Sequence, residues 1–153
     1  MAAKADAGYS GTPLWKKLGF KTGMRVCVLN APAHYPKLID GPNDWVMVKK
    51  ETEAEALHLF IQHDSELKKI ASLARLFPPV TMLWVSWPKL SSPLSTGMKE
   101  DHIREQALAH GLVDVKVCAV DADWSGLKLM LRKDSEKREA HAKRMGLRLA
   151  ARK

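Results

Sequence analysis

Cysteine is scarce in this chain of 153 residues, which contains only Cys27 and Cys118. So few cysteines exclude a disulfide-stapled scaffold. Both lie inside apolar runs, MRVCVL and VKVCAV, and they form no CxxC motif. This placement is typical of core thiols in a reducing compartment, with a disulfide or a reactive thiol as the alternative.

Long apolar runs are also absent. The longest strongly apolar stretch, VTMLWVSW at 80–87, is far shorter than the ~20 residues that a membrane helix needs. The N-terminal segment MAAKADAGYS contains no apolar region of the kind found in secretory signals. The sequence therefore predicts a soluble, cytoplasmic protein without a membrane partner.

The usual cofactor motifs are missing as well. The nine glycines form no G-x-G-x-x-G motif after a strand, and Asn30-Ala31-Pro32-Ala33 follows the first strongly predicted strand instead. There is no GxxxxGK[ST], no HExxH and no G-x-S-x-G, and the six histidines form no metal-ligand pairs. We therefore expect no dinucleotide, no P-loop nucleotide and no metal.

What the sequence has in excess is positive charge, and most of it lies at one end. Lysine and arginine number 25 against 17 acidic residues, which gives a net charge of +8. Residues 132–153 contain nine basic and three acidic residues, so they carry +6 and the other 131 residues only +2. We expect one domain over residues 1–133 and a basic, helical tail over residues 134–153.

Apolar runs rich in β-branched residues alternate with segments of helical periodicity. Helices are predicted at 14–18, 65–77 and 99–110, with a shorter one between 30 and 39. The stretch 51–62 is compatible with a helix or a strand, and we predict a strand over its second half. The predicted strands are 24–29, 45–48, 56–61, 80–87, 113–120 and 127–132.

The order of these elements indicates the fold. Strand–helix units come first, which favours a parallel sheet with helices on both faces. The last two strands are joined by DADWSG, a short polar stretch that predicts an antiparallel hairpin. The prediction is a three-layer, Rossmann-like α/β sandwich with a mostly parallel sheet and a C-terminal antiparallel hairpin.

In such a sheet, ligands bind beyond the carboxyl ends of the strands. Polar side chains follow several of the predicted strands, and the expected ligand-binding residues are Asn30, His34, Ser86, Trp87 and Lys89. Trp87 and Lys89 are suited to stacking on an anionic ligand and neutralising it. The alternatives are a core tryptophan beside a solvated lysine and, for Ser86, a serine bonded to the backbone.

His63 and Asp64 are the candidate catalytic residues. They follow the predicted strand at 56–61, and a histidine beside a carboxylate can act as a general base near neutral pH. The alternative is structural, with Asp64 capping the following helix and His63 lying in the loop.

Three stretches of the chain resemble a known bacterial family. They are GYSGTPLWKKLGFKTGMRVCVLNAP at 8–32, LWVSWPK at 83–89 and GLVDVKVCAVDADWSGLKLMLRK at 111–133. The family that they resemble is called domain of unknown function 3052. The resemblance implies a small Rossmann-like protein and no particular activity.

The layout of the elements is also similar to the end of a class I methyltransferase, whose glycine-rich loop after the first strand holds the methyl donor. Asn30-Ala31-Pro32 stands at that place in this chain. Val48-Lys49-Lys50 stands where the resemblance implies an acidic residue after the second strand. Because of these two departures, we expect a degenerate methyltransferase-like scaffold with no bound S-adenosylmethionine.

Three functions are compatible with the sequence. The first is a non-catalytic module that binds a small molecule or a protein partner. The second is a transferase-like enzyme that works at the carboxyl ends of the strands. The third is association with nucleic acid through the tail at 134–153, which is basic but has no aromatic residue to stack on a base. A solvated or partner-packing helix is the alternative for the tail.

Overall fold

The computed structural model describes residues 11–132, and the predicted tail at 134–153 lies outside the described residues. Strands and helices alternate along most of this range, and two short 3-10 turns precede β3 and α3. The elements are α1 (Leu14–Leu18), β1 (Arg25–Leu29), α2 (Tyr35–Leu38), β2 (Val46–Met47), a 3-10 turn (Glu51–Glu53), β3 (Ala56–Phe60), a 3-10 turn (Asp64–Glu66), α3 (Lys68–Ala74), β4 (Met82–Pro88), α4 (Glu100–Ala109), β5 (Leu112–Ala119) and β6 (Trp124–Leu131).

The strands form one six-stranded sheet in the order β2-β1-β3-β4-β6-β5. The first four strands in this order are parallel to one another. β6 runs antiparallel to both of its neighbours, β4 and β5, so the last two strands form a hairpin at one edge. This arrangement confirms the predicted Rossmann-like α/β class with a C-terminal antiparallel hairpin.

The sheet separates two hydrophobic cores, because successive side chains of a strand point to opposite faces. Leu57 and Leu59 of β3 pack on one face with α3 and α4, whereas Phe60 packs on the other face with α1 and α2. The indole nitrogen of Trp84 on β4 donates a hydrogen bond to the carbonyl oxygen of Leu18, 2.9 Å away, and thereby ties α1 to the sheet. Helices therefore cover both faces, as the element order predicts.

Most element boundaries differ from the prediction by one or two residues, and two elements differ by more. The helix predicted at 65–77 is reduced to the seven residues of α3, because its first part lies in the 3-10 turn and residues 75–77 form a turn after Ala74. The last strand begins at Trp124 rather than at 127, so the hairpin loop is shorter than the sequence DADWSG indicates. None of the helices within residues 11–132 is long and apolar enough to cross a bilayer.

Candidate functional site

Among the parallel strands of the sheet, the order reverses at one point, between β1 and β3. From β1 the chain moves outward to β2, and it then crosses back to place β3 on the other side of β1. The carboxyl ends of β1 and β3 therefore diverge into loops that leave in different directions. In open α/β sheets, ligands bind in the crevice formed at such a switch point.

A crevice of about 420 Å³ lies at this position, and we call it the switch-point crevice. Its volume falls within the range of small-molecule sites. The apolar part of its lining comes from β3 and the segment after it, and the polar part comes from the loop after β1 and from α3. The lining residues are Asn30, Leu59, Ile61, Ser65, Glu66, Lys68, Lys69 and Ser72.

Asn30 directly follows β1, and its backbone turns the chain at the rim of the crevice. Its backbone φ is 62°, in the left-handed region where asparagine is one of the few residues other than glycine found regularly. This turn directs the chain into α2, and the Asn30 side chain remains exposed at the crevice. Asn30 is thus the one predicted ligand-binding residue that lines the switch-point crevice.

The carboxylate of Glu66 fixes the loop on the β3 side of the crevice. Its Oε1 accepts hydrogen bonds from the backbone N–H groups of Gln62 and His63, at 2.7 and 2.8 Å. The sequence left open that the Asp64 side chain caps the following helix. In the structure, the side chain that binds these N–H groups is that of Glu66. Asp64 contributes its backbone carbonyl, which accepts a hydrogen bond from the N–H of Leu67.

The two lysines of the crevice differ in their partners. Lys69 Nζ lies 3.1 Å from Oε2 of Glu51, and this hydrogen bond lowers the pKa of the Glu51 carboxyl. The ammonium group of Lys68 has no carboxylate partner within residues 11–132. Lys68 therefore supplies the positive charge that a ligand in the crevice would meet.

On the opposite face of the sheet, three polar side chains form a buried chain of hydrogen bonds. The hydroxyl of Tyr35 lies 2.8 Å from Nδ1 of His58, and Nε2 of His58 lies 2.8 Å from Oγ of Ser86. His58 and Ser86 are fully buried and Tyr35 is nearly so. Because a neutral imidazole offers one donor and one acceptor, either tautomer satisfies both hydroxyls.

Burial keeps this chain uncharged. It lowers the pKa of His58 to about 3 and raises that of the Tyr35 phenol well above its ordinary value. The imidazole of His58 also stacks on the ring of Phe60 with centroids 4.4 Å apart, and Trp124 packs edge-on against Phe60. Aromatic rings therefore fill this face of the sheet near the carboxyl ends of β3 and β4.

His58 is the buried polar residue that the sequence analysis missed. It lies within ALHLF, a run whose other four residues are all buried and apolar. A histidine in the middle of a buried strand was the available signal, because such a group needs hydrogen-bond partners to be tolerated. The partners themselves come from segments 23 and 28 residues away in the sequence.

His34 pairs with a residue that the sequence places far from it. Its Nε2 lies 2.9 Å from Oδ2 of Asp121, in the loop between β5 and β6. Oδ1 of Asp121 accepts hydrogen bonds from the N–H groups of Asp123 and Trp124. This contact joins the loop after β1 to the hairpin loop across the carboxyl edge of the sheet.

Trp87 and Lys89 lie at a different place, beyond the carboxyl end of β4. They line a pocket of about 600 Å³ together with Lys99 and Glu100. Trp87 is only 5% exposed and belongs to the α3–α4 core, as the structural alternative proposed. The backbone N–H of Lys89 donates to the carbonyl oxygen of Asp123, 2.8 Å away.

The seven predicted site residues do not converge on one pocket. Asn30 lines the switch-point crevice, Trp87 and Lys89 line a separate pocket, and the remaining four lie elsewhere. Ser86 is inside the protein, His34 is paired with the hairpin loop, and His63 and Asp64 are exposed in the β3–α3 loop.

The described residues hold no group of three or more acidic, histidine or cysteine side chains placed to bind a metal. Cys27 and Cys118 are both free thiols. Cys27 is buried in the α3–α4 core, and Cys118 is half-buried against the core on the α1 side. Burial raises the pKa of both thiols, which keeps them protonated at neutral pH.

Solved structures share the architecture described above. A SAM-dependent methyltransferase from Aquifex aeolicus aligns with a TM-score of 0.51 and 15% identity, over 76% of this chain and 87% of that one. The fold is Rossmann-like. A protein of the NADB-Rossmann superfamily from Streptococcus agalactiae aligns with a TM-score of 0.45 and 10% identity, over 78% and 68% of the two chains.

A putative methyltransferase from Thermoplasma acidophilum aligns with a TM-score of 0.48 and 9% identity, over 81% of this chain and 76% of that one. No family model and no curated protein matches the sequence. The alignment at a TM-score of 0.51 shows a common Rossmann-like fold, and identities this low leave the activity to be argued from the site itself.

Proposed function

We propose that this protein is a non-catalytic binding module whose ligand is a small polar molecule with an anionic group. The observation that carries the proposal is the switch-point crevice. It lies where this fold class binds ligands, and its polar lining includes the amide of Asn30 and the ammonium group of Lys68. The hydroxyls of Ser65 and Ser72 add further groups that can donate hydrogen bonds to an anion.

A methyl donor fits these residues poorly. The segment after β1 carries side chains at Asn30, Ala31, Pro32 and Ala33, where close approach to a nucleotide-type ligand requires glycines. β2 ends at Met47 and is followed by Val48 and two exposed lysines, and the first carboxylate after them, that of Glu51, is paired with Lys69. We therefore derive no methyl-transfer step and propose a smaller ligand than S-adenosylmethionine.

The non-catalytic part of the proposal rests on where the reactive groups lie. A hydroxyl–imidazole pair acts in catalysis when the hydroxyl can reach a substrate. In the pair formed by Ser86 and His58, both groups are fully buried on the face of the sheet opposite to the crevice. The carboxylate in the crevice, Glu66, is bonded to two backbone N–H groups and so holds the loop in place.

A thermal-shift titration with a phosphate monoester, glycerol 3-phosphate, tests the proposal. A ligand that binds only the folded protein raises its free energy of unfolding by about 2.7 kcal/mol at about a hundred times the dissociation constant. We expect a concentration-dependent rise in Tm for the parent protein. The rise should disappear in Ser72→Trp, whose indole would occupy the crevice, and persist in Arg75→Trp, which adds the same ring directly after the end of α3 and outside the crevice lining.

Two results would contradict the proposal. One is the absence of any shift with glycerol 3-phosphate and with a panel of small phosphates and carboxylates. The other is a saturable shift with S-adenosylmethionine that is lost in Ser72→Trp. That second result would mean that the crevice binds the methyl donor. It would favour the transferase-like enzyme over the binding module.

A further inference from the structure

A further concave surface lies between α1 and the edge strand β5, on the face of the sheet opposite to the switch-point crevice. Its volume is about 630 Å³, and its charged lining residues are Lys16, Lys17 and Lys116. Thr12 and Ser125 add hydroxyls, and the lining contains no carboxylate. We call this surface, together with the adjoining Lys21 and Lys128, the lysine groove.

The sheet register places two of these lysines directly opposite each other. Lys116 of β5 pairs with Lys128 of β6 in the antiparallel ladder. Like charges at directly opposed positions destabilise a sheet. Partial burial, with Lys116 and Lys21 as neighbouring charges, lowers the pKa of Lys128, which places three ammonium groups within electrostatic reach of one another.

The acidic residues nearest in sequence to Lys116 and Lys128 form contacts with other residues. Asp114 of β5 accepts a hydrogen bond from Arg104 of α4 at 3.0 Å. In the hairpin loop, Asp121 pairs with His34, and Asp123 accepts a hydrogen bond from Ser92. Within residues 11–132, the salt bridges therefore leave the Lys116–Lys128 pair without a carboxylate partner.

We propose that the lysine groove binds the phosphate backbone of nucleic acid. Lysine ammonium groups and serine or threonine hydroxyls are the side chains that proteins use for phosphate contacts. A bound phosphate would also relieve the repulsion between Lys116 and Lys128. The lining offers side chains suited to phosphate contacts, which carry no sequence information, so the binding should show little sequence preference.

Fluorescence anisotropy with a labelled DNA duplex of about 20 base pairs tests this proposal, with salt varied from about 50 to about 200 mM. The variant K116Q/K128Q removes the opposed pair. The matched control K37Q/K50Q removes the same charge from two exposed lysines that do not line the groove. All three proteins keep the basic tail, so a difference between the two variants belongs to the groove.

The parent protein should bind with an affinity that falls steeply with salt. In K116Q/K128Q, the negative slope of log K against log salt should become shallower by about 2, since each lost phosphate contact reduces its magnitude by about 1. The affinity at the lowest salt should fall by about tenfold for each lysine removed. The control should keep the slope of the parent. Thermal unfolding of the variants should show that both remain folded.

Three results would overturn the proposal. They are no binding of the duplex by the parent at low salt, equal slopes for the two variants, and binding of the parent to vesicles containing phosphatidylserine but not to DNA. The last result would assign the groove to an anionic membrane surface instead.

Discussion

At the scale of single residues, the buried row of hydrogen bonds from Tyr35 through His58 to Ser86 has a structural role. All three side chains are buried, and each lies 2.8 Å from a hydrogen-bond partner. A buried polar group without a partner costs about 1–3 kcal/mol, so the three groups depend on one another. The chain fixes α2 and β4 against β3 and thereby shapes the carboxyl edge of the sheet.

The uncharged state of His58 predicts a pH dependence of stability. Its pKa is about 3 in the folded protein and 6.5 in the unfolded chain, so the unfolded chain takes up a proton first as the pH falls. The stabilisation is complete above pH 6.5 and is lost between pH 6.5 and about 3. In urea denaturation, the parent should lose roughly 1 kcal/mol more per pH unit than His58→Gln across this window. Equal acid sensitivity of the two proteins would contradict this account.

At the scale of elements, the central strands β3 and β4 were predictable because their apolar runs are long enough to fill a buried strand. The start of β6 was not, since Asp, Ser and Gly in DADWSG favour a turn. β6 begins at Trp124 because Trp124, Ser125 and Gly126 pair with the end of β4, which is a tertiary reason with no local signal. Trp84 and Val120 lie close beside Gly126, where a side chain would be crowded. The shortened α3 has a local cause instead, since Glu66 ends a 3-10 turn and its carboxylate binds the N–H groups of Gln62 and His63 just before that turn.

This packing predicts the effect of Gly126→Ala. A Cβ atom there would lie 3.3 Å from Trp84 Cε3, 3.3 Å from Val120 Cγ2 and 3.5 Å from Ser86 Oγ. Crowding in a packed core costs about 1–3 kcal/mol. Chemical denaturation should show a loss of that order for Gly126→Ala and a smaller loss for its half-exposed neighbour Ser125→Ala. Equal stability of the two variants would show that β6 is less closely packed than described.

At the scale of the whole molecule, the sheet divides the protein into two surfaces with different properties. The switch-point crevice lies beside α3, and the lysine groove lies beside α1 on the opposite face. The order of strands and helices was sufficient to predict the three layers and the carboxyl edge. It was not sufficient to predict the site, because contacts such as His34–Asp121 join residues 87 positions apart.

The switch-point crevice and the lysine groove both carry lysines, and so does the pocket beside Trp87, so a phosphate-bearing ligand has several places to bind. The measurement that tests the central claim most directly is therefore one that locates the ligand. Titrating glycerol 3-phosphate into isotopically labelled protein, with backbone amide shifts followed by NMR, reports the site residue by residue. We predict saturable shifts for Asn30, Ile61 and Ser65 around the switch-point crevice. Shifts confined to Lys116 and its neighbours in the lysine groove would contradict the claim that the crevice is the ligand site.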